Sequence, residues 1–152
     1  MPGCLELLCV DLVQRKGTHF ETPHERVSWH DWSFVQKLKQ KYILHSKSKT
    51  SQNMPYILVI NFIIPGGMNT VMHYKIPSKT EKYGNSQAVK MLRHFMSDDV
   101  NDEYRNDKLK LIPSVVEGGW IVKRGVGNKP AIIGRKITTT YHKGNGFYEI
   151  MI

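Results

Sequence analysis

The sequence predicts an α+β fold: one curved, mainly antiparallel β-sheet with two or three helices covering part of it. Three observations lead there. The run Tyr56-Ile-Leu-Val-Ile-Asn-Phe-Ile-Ile64 is too apolar on both faces for an exposed edge and reads as a central strand. Ala88, Met91, Leu92 and Phe95 recur at i, i+3, i+4 and i+7, the spacing of one helical face. Beyond Gly118-Gly119 the chain breaks into short apolar pieces separated by turn residues, the pattern of an antiparallel meander.

Taken in order, Leu5 to Val13 reads as a strand leading into polar Gln14 to Thr18. Gly17 to His30 is mostly polar and contains Pro23, as expected of an irregular connection. Val35, Leu38, Tyr42 and Ile43 lie near helical spacing within Trp32 to Leu44, with Asp31 or Ser33 as cap and Lys37, Lys39 and Lys41 on the other face. His45 to Asn53 has no apolar residue and reads as a loop, so 20–53 is the expected place for an insertion. After the central strand, Pro65-Gly66-Gly67 turns the chain into Thr70 to Ile76, an antiparallel hairpin partner expected to keep one face in water. Lys79 to Asn85 is a loop, and Ser86 caps the clearest helix. Ser97 to Asp102 reads as an acidic turn ending that helix. Leu109, Leu111 and Ile112 before Pro113, then Val115 and Val116, suggest two short extended pieces. Trp120 to Lys123, Ala131 to Ile133, Lys136 to Tyr141 and Phe147 to Ile152 are the expected meander strands.

At 152 residues the chain is the size of one domain, and residues 1–152 are read as a single unit. Its 40% hydrophobic and 23% charged residues exclude wholesale disorder. The two cysteines, Cys4 and Cys9, exclude a disulfide framework and a four-cysteine zinc site. On one strand a separation of five puts them on opposite faces, too far apart to bridge, so they read as reduced packing residues. The absence of any Asn-x-Ser/Thr acceptor and of a signal-peptide pattern agrees with an intracellular protein. The longest apolar run is less than half the length of a membrane-spanning helix.

No reactive constellation emerges. His19, His24 and His30 have neither the i, i+4 spacing of a helical pair nor a nearby Cys-x-x-Cys, and read as surface histidines. There is no Gly-x-Ser-x-Gly elbow, and both cysteines lie in an apolar stretch without a basic neighbour. Asp98-Asp99-Val100-Asn101-Asp102-Glu103 lacks either a required calcium ligand or the sixth-position glycine. Gly125-Val-Gly-Asn-Lys-Pro130 starts like a phosphate loop but carries Pro in sixth place, and reads as a tight turn. No catalytic residue, metal ligand or cofactor is therefore expected, and the protein reads as a non-enzyme.

Charge is more informative. Lys and Arg number 22 against 13 Asp and Glu, a net +9. Between Gly118 and Tyr148 lie Lys123, Arg124, Lys129, Arg135, Lys136 and Lys143 with no acidic residue, six of those nine charges. These six are the candidate anion or lipid-headgroup residues, because cations gathered at strand ends and turns make an anion-attracting rim. The competing readings are a solvated surface, or a nucleic-acid site in which Trp120, Tyr141, Phe147 and Tyr148 supply a stacking platform.

Arg105-Asn-Asp-Lys-Leu-Lys-Leu-Ile-Pro113, Glu117-Gly118, Trp120-Ile-Val-Lys123 and Val126-Gly-Asn-Lys-Pro130 form a specific series. It resembles the C-terminal domain of the plant enhanced disease resistance 2 protein family. Val10-Asp11-Leu12 and Leu58-Val-Ile-Asn61 also resemble earlier strands of that domain, so the likeness covers most of the chain apart from Phe20 to Asn53. Family members often carry it after a pleckstrin-homology and a START lipid-transfer domain, which implies work with lipids at endomembranes and no catalytic residue set. The family pattern extends past both ends of this sequence, which implies an incomplete domain whose apolar sheet face is covered by a lipid or by another protein. The resulting expectation is a lipid- or membrane-associated binding module, cytoplasmic or peripheral to endomembranes. Its expected partner is an anionic lipid or membrane surface, ahead of nucleic acid or a protein scaffold.

Overall fold

The computed structural model describes residues 4–14, 34–46, 54–64, 67–112 and 131–152. The connection expected before residue 34, most of the loop before residue 54, and the pieces containing Val115, Val116 and Trp120 to Lys123 lie outside the described residues. The elements are β1 (Glu6–Gln14), α1 (Phe34–Ser46), β2 (Tyr56–Ile64), β3 (Met68–Ile76), α2 (Gln87–Phe95), α3 (Asp102–Lys108), β4 (Lys110–Leu111), β5 (Ala131–Ile132), β6 (Thr140–Gly144) and β7 (Phe147–Met151). An open five-stranded sheet has the order β1-β3-β2-β7-β6, and β4 pairs with β5 in a separate two-stranded sheet. The α+β expectation holds, with all pairings but one antiparallel.

The exception corrects the expected meander. β7 lies parallel to β2, with Ile57 opposite Phe147 and Asn61 opposite Met151. All five residues of β7 are buried, and β2 is the most apolar strand, so both suit the interior of a sheet covered on two sides. Parallel neighbours need a long crossover, and the chain between β3 and β7 supplies it. The Ala131 pairing belongs to the small sheet, and the strand expected at Lys136 begins at Thr140.

β2 and β3 form the predicted hairpin, Ile64 opposite Met68, with Gly67 in the left-handed region at φ 79°. β3 does not keep a wet face. β1 pairs along its other edge, making β3 an interior strand, and Asn69, Val71 and His73 are all buried. On this first face Val35 of α1 joins Ile57, Val59, Val71 and Phe147. On the second, Leu58, Ile76, Tyr148 and Ile150 pack with Val89 and Met96 from the α2 region, backed by Leu92, Phe95, Leu109 and Tyr141.

Ser86 caps α2 as predicted, its hydroxyl accepting from Val89 N at 3.3 Å. Half of the expected stripe holds: Leu92 and Phe95 pack against the sheet, joined by Val89 and Met96, whereas Ala88 and Met91 are exposed, Met91 by 64%. Both stripes satisfy a helical period, and contact with Leu58 and Tyr148 selects the packed one. The acidic turn leads directly into a further helix, α3, whose cap Asn101 accepts from Tyr104 N at 2.9 Å. Asp102 and Glu103 in its first turn complement the helix dipole.

Arg105 fastens α3 to the rest. Its Nε donates to Phe95 O at 2.9 Å, Nη2 to Ser97 O at 2.7 Å and Nη1 to Asp102 Oδ1 at 2.6 Å. The guanidinium also lies 5.7 Å from the Tyr141 ring centre and 5.9 Å from that of Tyr148. Arg105→Met strips these bonds from a buried position and is expected to lower unfolding free energy in urea by about 2–4 kcal/mol. Asp102→Asn, at a carboxylate 65% exposed, is expected to cost less than about 1 kcal/mol. Equal losses would contradict the assigned role of the two carbonyl contacts.

Candidate functional site

At the end of the sheet where β2 begins and β3 finishes, an open groove of about 1160 Å³ runs between the loop after β3 and the α1 face. Leu8, Phe34, Leu38, Met54, Ile76 and Met96 supply apolar wall, and Glu6, Lys75, Glu81, Arg93 and Lys143 supply charge. Strand ends position most of these side chains, so the groove follows from the sheet's own edge.

Each cation there has a definite partner. Lys75 Nζ donates to Glu81 Oε1 at 2.5 Å and lies 4.0 Å from Glu6 Oε2. The hydrogen bond from Lys75, then that from Ser78 N, holds the Glu81 carboxyl below the usual range. Arg93 donates to Pro77 O and Gly84 O, both at 2.6 Å, and so ties the loop after β3 to α2. Lys143 Nζ donates to Asp98 Oδ2 at 2.5 Å, a bond that raises the lysine's pKa. At the groove's edge, therefore, opposite charges alternate within reach of an apolar hollow.

Of the six cations singled out from the sequence, Lys143 lines this groove. Arg135 and Lys136 lie in the turn after β5, where Arg135 Nε pairs with Asp107 Oδ1 of α3. Gly134 makes that docking close, since a Cβ there would meet Asn106 Cα at 2.5 Å. Lys123, Arg124 and Lys129 lie outside the described residues. Lys75 and Arg93 were missed because neither belongs to a charge run.

The first face of the sheet carries a second feature that sequence reasoning missed. Asn69 Nδ2 donates to Asn61 Oδ1 at 2.9 Å, and Asn61 Nδ2 donates to Glu149 Oε1 at 3.2 Å, all three fully buried. Alternation places them in line across β3, β2 and β7. On the β1 side of that row His73 is wholly buried, and among the described residues neither ring nitrogen makes a hydrogen bond of full geometry, although the Cys9 backbone acts on the ring. Burial lowers the pKa of His73, opposed in part by Asp11, whose Oδ2 is 3.8 Å from Nδ1. Cys9 Sγ lies 3.5 Å from Asp11 Oδ1, and burial, then Asp11, pushes the thiol up. These three side chains hold ligand-type atoms all within 4.8 Å of one another.

On the opposite face Tyr141 donates to Asn106 Oδ1 at 2.9 Å, and Tyr148 Oη is buried without a partner among the described residues. Burial pushes both phenols up from 10.0 to about 12. A raised phenol pKa means that the fold favours the neutral form. Its contribution to stability is complete below pH 10 and is lost as pH climbs from 10 towards about 12. A tyrosinate absorbance titration followed alongside circular dichroism should show these two ionising late, together with loss of fold. A single step near 10 with the fold intact contradicts their placement.

Comparison with known proteins agrees with the architecture's origin. The family described as "Protein ENHANCED DISEASE RESISTANCE 2, C-terminal" matches residues 2–152. A curated relative, "Protein ENHANCED DISEASE RESISTANCE 2-like" from Arabidopsis thaliana, is 34% identical over 92 residues. That stretch is 60% of this chain and 12% of the relative, so the match spans a small part of the relative's length. No solved structure matches the chain. With the family's match running along essentially all of the sequence, this chain belongs to the enhanced disease resistance 2 C-terminal domain family.

Proposed function

We propose that this domain is a non-enzymatic binding module for an anionic lipid or membrane surface, working inside the cell at the periphery of endomembranes. One observation carries the reading: an open groove of about 1160 Å³ that combines apolar walls with Lys75, Arg93 and Lys143. Acyl chain or interfacial lipid occupies the apolar wall, burial of which is worth about 25 cal/mol per Å². The phosphate competes with Glu81 and Asp98 for the two lysines, so binding weakens as salt rises. The chain's net +9 adds long-range attraction to an anionic leaflet. No described helix is long and apolar enough to cross a membrane.

Co-sedimentation with phosphatidylcholine vesicles, with and without phosphatidylserine, tests this reading. The protein is expected to pellet with the anionic vesicles and to be released by salt. Thr80→Trp, at an exposed residue on the groove lining, is expected to weaken pelleting severalfold while leaving the unfolding midpoint unchanged. Failure to pellet with either vesicle, or full binding by Thr80→Trp, would overturn it.

A further inference from the structure

We propose that Cys9, Asp11 and His73 form a three-ligand site for a divalent transition metal, with Zn²⁺ the ion that these donors fit best. The register of two strands creates the cluster. Cys9 and Asp11 are two residues apart on β1 and therefore share a face, and Cys9 is paired directly with His73 of β3. Asp11, paired with Val71, comes at His73 from the diagonal position. A β-bulge makes this possible. Leu7 pairs with Tyr74, and an unbroken ladder would then set Leu8 against His73 and turn Cys9 to the opposite face. The irregularity between Leu7 and Cys9 skips Leu8 and re-aims the thiol beside the imidazole.

In the metal-free chain the Cys9 thiol donates to Asp11 Oδ1 at 3.5 Å, and the same spacing lies close to that of two ligands on one ion. Zinc binds nitrogen and oxygen at about 2.0 Å and sulfur at about 2.3 Å, so neighbouring corners of its tetrahedron are roughly 3.3–3.5 Å apart. Here Sγ to Oδ1 is 3.5 Å and Nδ1 to Oδ2 is 3.8 Å, with all ligand-type atoms inside 4.8 Å. The two measured distances end on different oxygens of Asp11, so binding through one oxygen turns the carboxylate and draws the three ligand atoms together from their 4.8 Å spread. His73 supplies a second, independent observation: it is 0% exposed, and among the described residues neither ring nitrogen makes a hydrogen bond of full geometry, although the Cys9 backbone acts on the ring. A bond from Nδ1 to a cation removes that deficit at the nitrogen facing Asp11. The Phe34 ring, 5.1 Å away and tilted by 52°, backs the imidazole from α1.

Sulfur, nitrogen and one carboxylate together select zinc or a similar borderline ion over Ca²⁺ or Mg²⁺, which take oxygen ligands. Asp11 is 35% exposed and Cys9 is half-buried, so an ion reaches the cluster from the β1 side and a water completes the fourth position. Cys4 does not compete, since it packs with the second-face cluster. The bound ion ties β1, the edge strand that leaves Leu7, Val10 and Leu12 exposed, to interior β3. None of the three ligands lines the groove, so this site stands or falls independently of lipid binding.

Cobalt substitution of the reduced full chain tests the site, because tetrahedral Co²⁺ bound to a thiolate gives a charge-transfer band that histidine-only binding lacks. One Co²⁺ per chain is expected, showing that band and displaced by Zn²⁺, with Zn²⁺ also raising the unfolding temperature. Cys9→Ser should abolish the band and the thermal shift. Asp11→Asn should weaken Co²⁺ affinity about tenfold or more, and Cys4→Ser should change neither. These variants are used because both altered ligands are partly exposed, whereas His73→Gln risks the core. Absence of the band in the wild-type chain, its survival in Cys9→Ser, its loss in Cys4→Ser, or unchanged affinity in Asp11→Asn would each overturn the assignment.

Discussion

The insertion of β7 beside β2 as a parallel partner is the constraint on which the rest of the architecture depends. Its five buried residues come from the end of the sequence, yet they occupy the sheet's interior. The ladder continues beyond the strand itself, with Ile57 N donating to Gly146 O at 3.0 Å and Ile152 N to Asn61 O at 2.9 Å. A parallel neighbour requires the intervening chain to cross over the sheet, and α2 meets the second face on that path. Once both faces of the central strands are covered, a polar group they carry is satisfied only by a partner inside the protein, which His73 and Tyr148 Oη lack among the described residues.

Two polar arrangements answer that demand in different ways. The Asn69, Asn61 and Glu149 row uses the register of three adjacent strands, so each side chain meets the next without distortion. Arg105 instead satisfies main-chain carbonyls left open after α2, and its flat guanidinium rests near two tyrosine rings. The family-like residue series that begins at Arg105 thus has a structural cause at its first position: the arginine holds α3 in place. Leu109, four residues on, continues that role by packing on the second-face cluster.

The elements most legible in the sequence were those with a strong period and a local stop signal. β2 was readable from its apolar run and the Ser86 cap from its hydroxyl ahead of a helical stripe. The α2 face was legible in part: Leu92 and Phe95 were, but Val89 and Met96 were not, because neighbouring stripes satisfy the same period and only the sheet chooses between them. The burial of His73 and Asn69 was hidden for a related reason. Alternation on β3 suggested a wet face, and nothing local announced that β1 would pair along its far edge. At the candidate site, Lys143 was visible as part of a charge run. Lys75 and Arg93 enter the groove through a strand end and a loop closure that composition does not encode. Cys9, Asp11 and His73 lie far apart in sequence and meet through a one-residue bulge, so a search by motif spacing passes over them.

The proposed function rests on the groove. The groove exists because the sheet's strands end together while α1, α2 and the loop after β3 stand around that edge, leaving apolar side chains beside paired charges. A hollow of this chemistry suits an amphiphile whose tail is apolar and whose head is anionic. Native mass spectrometry of the full chain purified from a eukaryotic host tests that claim most directly. A retained adduct with the mass of an anionic lipid, lost in the groove-filled variant, is the predicted result. Bare protein alone, or an adduct that persists when the groove is filled, would contradict it.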